Sequence, residues 1–237
     1  MIRKINRIVR SIISLNRSIE FKTIVKMLDL NREDILLDVG SGDGFWTNKF
    51  SALVKEVIGV DPTNELLNLS MENYKNPNLE FSFGKAEDLK FKDMSFSKVT
   101  SISTVEHFQD PIKGLSEMGR VLQKNGILSI SVDSLSIENS KENFIKWHRK
   151  KHFVTKYFTN SEITKILNDI DLIVDEKSTI GLFKCKASCR LREFFIKNTL
   201  LLTPVFPLFY FLCRISDKFY IGGKVPPQIL IVKAMKV

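Results

Sequence analysis

The sequence of 237 residues contains little of what builds disulfide-rich, membrane-spanning or disordered proteins. It has only three cysteines, Cys185, Cys189 and Cys213, an odd number without framework spacing, which predicts free thiols in a reducing compartment. The apolar run over residues 199–213 is fifteen residues long and falls short of the ~20 that cross a bilayer. With 43% hydrophobic and 27% charged residues, the composition is that of a folded domain with a single core.

Positive charge is in excess and is concentrated in a few places. The net charge is +9, with +5 in residues 1–30, +5 in residues 141–158 and +4 in residues 184–197. Such patches are typical of contacts with phosphate, either on nucleic acid or on an anionic membrane surface. Solvated surface lysines and arginines are the alternative interpretation of each patch.

The basic N-terminal segment has the composition of a mitochondrial transit peptide, but its apolar residues favour another interpretation. Ile5, Val9, Ile12 and Leu15 keep helical spacing, and the pattern continues towards Leu28. We therefore expect a leading helix that covers the sheet. No apolar segment of the signal-peptide kind follows the basic residues.

From residue 35 onward, short apolar runs alternate with amphipathic helices. The predicted strands span residues 35–39, 57–60, 79–83, 98–103, 127–132, 172–174 and 229–232. The third of them alternates apolar and polar residues, which is typical of an edge strand. The predicted helices span residues 45–54, 63–71 and 111–122, and one more begins with the capping-box spacing of Thr159 and Glu162. This alternation predicts an α/β fold with a mostly parallel sheet.

A glycine-rich turn joins the first predicted strand to the first predicted helix. Residues 38–44 read D-V-G-S-G-D-G, and such glycines let a ligand approach the backbone closely. Asp61 ends the second strand, 21 residues after Gly40, where a carboxylate can accept both hydroxyls of a ribose. Phe45 stands at the position of the third glycine in a dinucleotide-binding motif, and Asp43 would repel a pyrophosphate. The predicted ligand therefore has a ribose and no phosphates.

A third element follows the next strand, where residues 84–88 read G-K-A-E-D. A backbone amide there, with Glu87 or Asp88, could reach the edge of an adenine. The structural alternative is a plain strand-to-helix turn, with Asp38 as an N-cap and Asp61 as a turn residue before a proline. The combination of strand, glycines, spaced acid and third element outweighs it.

Residues 38–132 resemble a class I S-adenosylmethionine-dependent methyltransferase of the type-11 group, which includes quinone-biosynthesis and small-molecule methyltransferases. The resemblance includes S-T-V-E-H-F-Q-D-P at residues 103–111 and G-R-V-L-Q-K-N-G at residues 119–126, where the family's proline and first glycine are missing. It covers residues 30–180. It implies a Rossmann-like, seven-stranded, mostly parallel sheet in the order 3-2-1-4-5-7-6, with strand 7 antiparallel and helices on both faces.

The resemblance also implies S-adenosylmethionine as the cofactor. The residues it assigns to cofactor binding are Asp38, Gly40, Ser41, Gly42, Asp61, Pro62, Ala86, Glu87 and Thr104. In the family the acid at Asp38 orders the glycine loop and approaches the methionine amino group. No metal is predicted, because Cys185 and Cys189 have no companion pair or histidines.

Methyl transfer from a sulfonium is an in-line displacement, so a general base is needed only for some acceptors. His107 follows the fourth strand at the ligand-binding edge and is the predicted catalytic residue, as a base or as a substrate orienter, with packing as the alternative. His148 and His152 are weaker candidates, expected by default to be solvated loop histidines. The missing Asp/Asn-Pro-Pro-aromatic and Pro-Cys motifs argue against methylation of DNA bases.

We predict one methyltransferase domain. It divides into a basic N-terminal helix at residues 1–30, a cofactor-binding core at 31–180, an apolar and basic insertion at 181–227 between strands 6 and 7, and a last strand at 228–237.

The insertion is the unusual feature, because the family's connection is usually short. Its apolar run is flanked by Lys197 and Arg214, and Pro204 and Pro207 are expected to break a helix. We expect an apolar cap that receives a lipid-like acceptor or docks on a membrane. A buried accessory core or a dimer contact is the alternative.

The leading functional interpretation is methylation of a small or lipid-linked acceptor, such as a quinone or isoprenoid precursor or a lipid-linked glycan. An RNA methyltransferase that uses the basic patches is the second, and a non-catalytic, membrane-associated cofactor-binding protein is the third. The expected partners are a small-molecule or lipid-like acceptor and an anionic membrane surface, with nucleic acid less favoured. The expected location is cytoplasmic, with peripheral association at the inner membrane face.

Overall fold

The computed structural model describes residues 15–198 and 206–237. The described strands are β1 Ile35–Val39, β2 Glu56–Asp61, β3 Leu79–Phe83, β4 Phe96–Ile102, β5 Leu122–Asp133, β6 Leu172–Ile173, β7 Thr179–Leu182 and β8 Ile229–Lys236. The described helices are α1 Leu15–Leu28, α2 Phe45–Ser51, α3 Asn64–Asn73, α4 Pro111–Val121, α5 Glu142–His152, α6 Asn160–Asn168, α7 Lys186–Lys197 and α8 Phe206–Phe219, with short 3-10 helices at Val105–His107 and Glu176–Ser178.

These strands form one sheet in the order β3-β2-β1-β4-β5-β8-β6, and β7 also pairs with β8. Strands β1 to β5 pair in parallel, and β8 is antiparallel to β5. The predicted Rossmann-like α/β class is confirmed, with β3 at an edge. The carboxyl ends of the parallel strands therefore meet along one edge, as the predicted site requires.

The predicted sixth strand is shorter than expected, and an additional strand follows it. Leu172 pairs with Lys236, and Leu182 pairs with Ile229, so β6 and β7 lie along the same side of β8. A 3-10 turn interrupts what would otherwise be one edge strand. With β8 in the place of strand 7, the predicted order holds.

The end of α4 differs from the prediction. Asp110 caps this helix and accepts a hydrogen bond from the Lys113 amide. The helix ends at Val121 because Leu122 already pairs with Phe96 in the sheet. Ile112, in the first turn of this helix, is 57% exposed.

Two apolar cores lie on opposite faces of the sheet. Successive strand residues point to opposite faces, so Leu36 packs in one core and Leu37 in the other. Helices α4 and α6 cover the Leu37 side, with Leu115 and Leu167 fully buried. Helices α1 and α2 cover the Leu36 side, together with α7 and α8 of the insertion.

Helix α1 covers the sheet, as predicted for the leading helix; residues 1–14 of that prediction lie outside the described residues. Ile24 and Leu28 are fully buried in its interface with the sheet. Lys98 of β4 donates from Nζ to the Leu28 carbonyl at 2.7 Å. This bond gives a donor to one of the carbonyls that a helix end leaves unpaired.

The insertion folds as the helices α7 and α8, and residues 199–205 lie outside the described residues. Pro207 is the second residue of α8 as the structure describes it. The expectation that Pro204 and Pro207 break a helix stays a prediction, because the residues before Phe206 are outside the described ranges. Pro204 falls outside the described residues. Within the described ranges, no helix is both long and apolar enough to cross a membrane.

The capping box of α6 gives a test of the fold. The Thr159 hydroxyl accepts from the Glu162 amide at 3.2 Å, and Glu162 accepts from the Thr159 amide at 2.9 Å. We expect Thr159→Ala to lower the free energy of unfolding by about 1 kcal/mol, since an N-cap bond is lost. Thr159→Ser keeps the hydroxyl and should lower the free energy of unfolding by less, with both variants measured by urea titration. Equal losses in the two variants would show that the cap contributes nothing.

Candidate functional site

The glycine turn after β1 is bound to the end of β2. The Gly40 and Ser41 amides both donate to the Val60 carbonyl, at 2.7 and 3.0 Å. The Gly42 amide donates to Asp61 Oδ2 at 2.9 Å, and Asp61 Oδ1 accepts from the Thr63 amide at 2.9 Å. Asp61 therefore orders the turn, and each of its oxygens keeps lone pairs for another donor.

Gly40 is the point of closest approach between this turn and the loop after β4. Its φ is +82°, a conformation that favours glycine. A Cβ at this position would lie 2.2 Å from Cγ2 of Thr104. Thr104 and the glycine turn therefore lie in contact at the carboxyl ends of β4 and β1.

Two small cavities adjoin this contact, and Gly40 and Thr104 line both. The first, of about 220 Å³, is lined by Pro62, Ala86, Glu87, His107, Phe108 and Gln109, among others. The second, of about 230 Å³, is lined by Arg17, Asp38, Ser41, Gly42, Asp43 and Trp46, among others. One elongated ligand could thus occupy both sides of the Gly40–Thr104 contact.

Asp38 lies almost completely buried at the base of the second cavity. The Thr47 hydroxyl of α2 donates to its Oδ2 at 2.6 Å. Burial raises the pKa of Asp38 to about 6; the charge of Asp61 adds to this, and the Thr47 bond opposes it. This carboxyl is therefore close to its ionisation point near neutral pH.

The structure brings the predicted cofactor residues together, whereas Asp88, the alternative contact in the third element, lies apart from them. Nearly all of them line a cavity, and Asp61 holds the turn. Glu87 lines the first cavity, but its Oε1 accepts from the Gln109 and Asp110 amides. Asp88, the alternative adenine contact, is paired with Lys90 at 2.6 Å and lines neither cavity.

Helix α1 contributes two site residues that the sequence analysis missed. Arg17 lines the second cavity and donates to the Ile102 and Ser103 carbonyls at the end of β4. Glu20 is buried, and its Oε2 accepts from the hydroxyls of Ser103 and Ser131. The signal available in the sequence was that Glu20 is the first acid in an otherwise basic segment.

Three residues that follow or end the central strands form the start of a further polar cluster. Asp133, at the end of β5, acts electrostatically on Glu106 and on His107. Glu106 is fully buried, and neither of its carboxyl oxygens has a hydrogen-bond partner in the described part of the chain. Burial first, then the negative charge of Asp133, raises the pKa of Glu106 well above its usual value.

Helix α5 completes this cluster and corrects the expectation of loop histidines, although His152 is exposed as expected. His148 and His152 lie on a helix, not in a loop, and their rings are 4.5 Å apart. His148 is buried, with Nε2 3.7 Å from Asp133 Oδ2 and Nδ1 3.1 Å from the Tyr157 hydroxyl. Burial lowers the pKa of His148 to about 4. We call Glu106, His107, Asp133, His148 and His152 the carboxylate–histidine cluster; it contains all three histidines of the chain.

The predicted catalytic residue, His107, is the member of this cluster that lines the first cavity. Its Nδ1 is 3.4 Å from the Phe153 carbonyl, which favours a proton on Nδ1 and leaves Nε2 free to accept one. Burial lowers the pKa of His107, so its imidazole is neutral at pH 7. Its roles as a base or as a substrate orienter stay predictions.

The insertion reaches the same cluster through α7. Arg192 is buried and donates from Nη2 to Asp133 Oδ1 at 2.9 Å. Cys185 caps the start of α7, and Cys189 lies buried one turn further. Across the described ranges, no group of three or more His, Cys, Asp or Glu side chains could hold a metal ion.

Comparison with known families identifies the same region. Residues 37–130 match a family described as a methyltransferase domain. YrhH of Bacillus subtilis (strain 168), named as a methyltransferase, is 32% identical over 143 residues, which cover 59% of this chain and 78% of YrhH. The demethylmenaquinone methyltransferase of Chlorobaculum tepidum is 34% identical over 111 residues, which cover 46% of this chain and 45% of that enzyme.

A third relative has also been solved as a crystal structure. YcgJ of Bacillus subtilis, again named as a methyltransferase, is 35% identical over 106 residues, or 44% of this chain and 42% of YcgJ. Its crystal structure superposes with a TM-score of 0.65 at 22% identity, covering 92% of this chain and 97% of YcgJ. The fold likeness therefore extends over nearly the whole chain, whereas the sequence matches to YcgJ and to the Chlorobaculum enzyme span less than half of either relative.

The contact at Gly40 gives a test of the cavities. We expect Gly40→Ala to weaken binding of S-adenosylhomocysteine at least 100-fold by calorimetry, because the new Cβ meets Thr104 and the φ is strained. Gly42 has a φ of +57° but no heavy atom within 4 Å of an added Cβ, so Gly42→Ala is the matched control with strain and no clash. A Gly40→Ala protein that binds as tightly as the Gly42→Ala protein would contradict the assignment.

The pKa of Asp38 gives a test by pH. Its folded pKa of about 6 lies above its ordinary value, so the ionised form is present above pH 6 and is lost as the pH falls through 6. If the ionised form binds a cationic amino group, affinity for S-adenosylhomocysteine should be roughly tenfold weaker at pH 5 than at pH 8. Asp38→Asn should bind more weakly and lose this dependence. A wild-type affinity that does not change between the two pH values would exclude this role.

Proposed function

Because the chain belongs to the S-adenosylmethionine-dependent methyltransferase family, we propose that it transfers a methyl group from this cofactor to a small or lipid-linked acceptor. The acceptor classes are quinone or isoprenoid precursors and glycans on lipid carriers. The observation that carries this proposal is the carboxylate–histidine cluster, which joins the first cavity through His107 and the apolar insertion through Arg192. A polar reacting group and an apolar body would each find matching surroundings.

The residues at the two cavities fit the cofactor. The Ser41 hydroxyl lines the second cavity and is buried with no partner among the described residues, so a ligand polar group would satisfy it. We propose that Asp61 holds the ribose, that Ala86 and Glu87 flank the adenine, and that Asp38 faces the methionine amino group. Arg17 would then face the methionine carboxylate, since it lines the same cavity and carries the opposite charge.

When bound, the cofactor supplies an electrophilic methyl group on a sulfonium. The chain has to align the acceptor with that group and exclude water. The close contact of Gly40 with Thr104 narrows the passage between the cavities and supports such alignment. Helix α1 supports the exclusion of water, because Arg17 and Glu20 lie against the ends of β4 and β5.

The proton released by a hydroxyl or carbon acceptor needs a base. His107 fits this role, because its imidazole is neutral at pH 7 and Nε2 can accept. Burial and the charge of Asp133 raise the pKa of the neighbouring Glu106 well above its usual value, but Glu106 lines neither cavity. In this proposal the acceptor's proton therefore goes to His107.

Two further observations favour a lipid-like acceptor. One is the 34% sequence identity to the demethylmenaquinone methyltransferase of Chlorobaculum tepidum over 111 residues. The other is the insertion, which adds apolar surface to the side of the sheet that carries α1.

The proposal is tested with cofactor labelled on its methyl group. Purified protein and a cell extract are incubated, and the product is partitioned between organic solvent and water. We expect label in the organic phase, reduced at least 100-fold by Asp61→Asn, which disturbs the turn and the proposed ribose contact. Asp88→Asn is the matched control, because that carboxylate pairs with Lys90 away from both cavities.

The other outcomes of this experiment distinguish the alternatives. Label in RNA would contradict the small or lipid-linked acceptor and would favour an RNA methyltransferase that uses the basic patches. No transfer at all, together with intact binding of S-adenosylhomocysteine, would favour the non-catalytic protein.

A further inference from the structure

Helix α8 has two apolar faces, and only one of them is packed against the described residues. Phe209 and Cys213 belong to the core beneath the helix. Leu208, Phe211 and Phe219 are 59%, 59% and 66% exposed. A surface helix of a soluble domain normally presents polar residues on its outer side, so this open face requires an explanation.

The exposed residues Leu208, Phe211, Leu212 and Phe219 form one stripe with the half-buried Ile215. With Leu208 as the first position, Phe211, Leu212, Ile215 and Phe219 follow at i+3, i+4, i+7 and i+11, which is the spacing of one helical face. We call these five residues the α8 apolar face.

The turn after α8 extends this surface. Tyr220 and Ile221 are exposed, and the Ile221 carbonyl accepts from the Ala187 amide at the start of α7. The turn is thus held against the first turn of α7, and its apolar side chains continue from Phe219.

The charged groups around the α8 apolar face are nearly all positive. Lys218 lies 5.6 Å from the Phe219 ring, and Lys184 and Lys224 lie 5.5 and 5.6 Å from the Tyr220 ring. Arg214 lies exposed on the same helix. Asp217 is the only acidic side chain among residues 206–237, and it accepts from the Phe183 and Lys184 amides and from Ser188. The surface therefore presents rings and cations together.

This combination selects among the possible occupants. A second copy of the chain related by a two-fold axis would bring Arg214 and Lys218 close to their own counterparts, which is repulsive. A bilayer with anionic headgroups accepts apolar side chains below the headgroups and attracts lysine and arginine at their level.

From these contacts we propose that the α8 apolar face docks on an anionic phospholipid bilayer. The helix lies in the interface, with Phe211 and Phe219 inserted and Arg214 and Lys218 against the headgroups. This inference deepens the proposed function and rests on it for its purpose, but membrane binding itself needs neither cofactor nor acceptor.

The position of the face suits delivery of a lipid-like acceptor. A groove of about 490 Å³ runs from Phe211 and Cys213 to Ile19 of α1. Two residues before Ile19, Arg17 lines the second cavity. On the other side, α7 packs against α8 and sends Arg192 to Asp133. A docked protein would therefore hold the membrane beside the groove that leads to α1.

The test is flotation of the full chain with vesicles of phosphatidylcholine, with or without one third phosphatidylglycerol. We expect binding to the anionic vesicles, at least tenfold weaker binding to the neutral ones, and a loss of binding as salt is raised. Arg214→Ala/Lys218→Ala should weaken binding roughly 30-fold, since each cation near an anionic surface contributes about a fivefold factor.

The apolar contribution is tested separately. Phe211→Ser/Phe219→Ser should weaken binding to anionic vesicles at least tenfold, because both rings lose their insertion. Met71→Ser/Met94→Ser removes two exposed apolar side chains from other elements and should bind as the wild type does. Binding of S-adenosylhomocysteine, unchanged in both double variants, shows that each is folded.

Several outcomes would overturn the proposal. One is equal flotation of the wild type and the Phe211→Ser/Phe219→Ser variant; another is equal binding to neutral and anionic vesicles. A wild-type dimer that this variant converts to a monomer would identify a second copy as the occupant. If the protein does not dock but still transfers the methyl group, the docking proposal is wrong and the proposed function stands. If the protein docks but transfers no methyl group, the docking proposal stands and the proposed function is wrong.

Discussion

The missing side chain at Gly40 is the constraint on which the site depends. The Gly40 amide donates to the end of β2, while its α-carbon lies against Thr104 at the end of β4. One residue thus fixes the distances among the ends of three parallel strands. Any larger residue would push the β4 loop away and separate the two cavities, because 2.2 Å leaves no room for a methyl group. The hydrogen bond of Asp61 to Gly42 then fixes the path of the rest of the turn.

Asp133 has a corresponding role on the other side of the site. It receives Arg192 from α7, lies near His148 of α5, and acts electrostatically on Glu106 and the other two histidines. A buried carboxylate is costly unless it is paired, and Arg192 supplies that pairing from the insertion. Glu106 has no such partner among the described residues, and burial raises its pKa well above its usual value. The insertion is therefore structurally coupled to the site, and its removal would leave Asp133 as an uncompensated charge.

The α7–α8 pair combines an inner role with an outer one. Its inner side packs Phe195 and Phe209 together and belongs to the core on the α1 side of the sheet. Its outer side carries rings among lysines and arginines. Burial of the inner side stabilises the fold. Exposure of the apolar outer side lowers solubility, and a large exposed apolar patch marks an interaction site. The proposed bilayer contact gives that surface a use and brings the groove along α1 close to the lipid.

Local patterns of the sequence were sufficient for the α/β class, the glycine turn and the grouping of Asp38, Gly40 and Asp61, whereas the strand order and the place of Thr104 came from the family resemblance. Parallel strands place their carboxyl ends at one edge whatever the rest of the chain does, so those positions follow from pattern alone. The end of α4 and the broken edge strand formed by β6 and β7 did not follow, because pairing with Phe96 and with β8 overrides local preference. Likewise, nothing in the spacing of Arg17, Glu20, His148 and Arg192 shows that three distant helices converge on β4 and β5. The sequence by itself determined the glycine-turn side of the site, which is built from strand ends and the turns that follow them. Tertiary packing alone decided the carboxylate–histidine cluster, because Asp133, His148 and the Arg192 that pairs with Asp133 come from separate elements and are buried only where those elements meet.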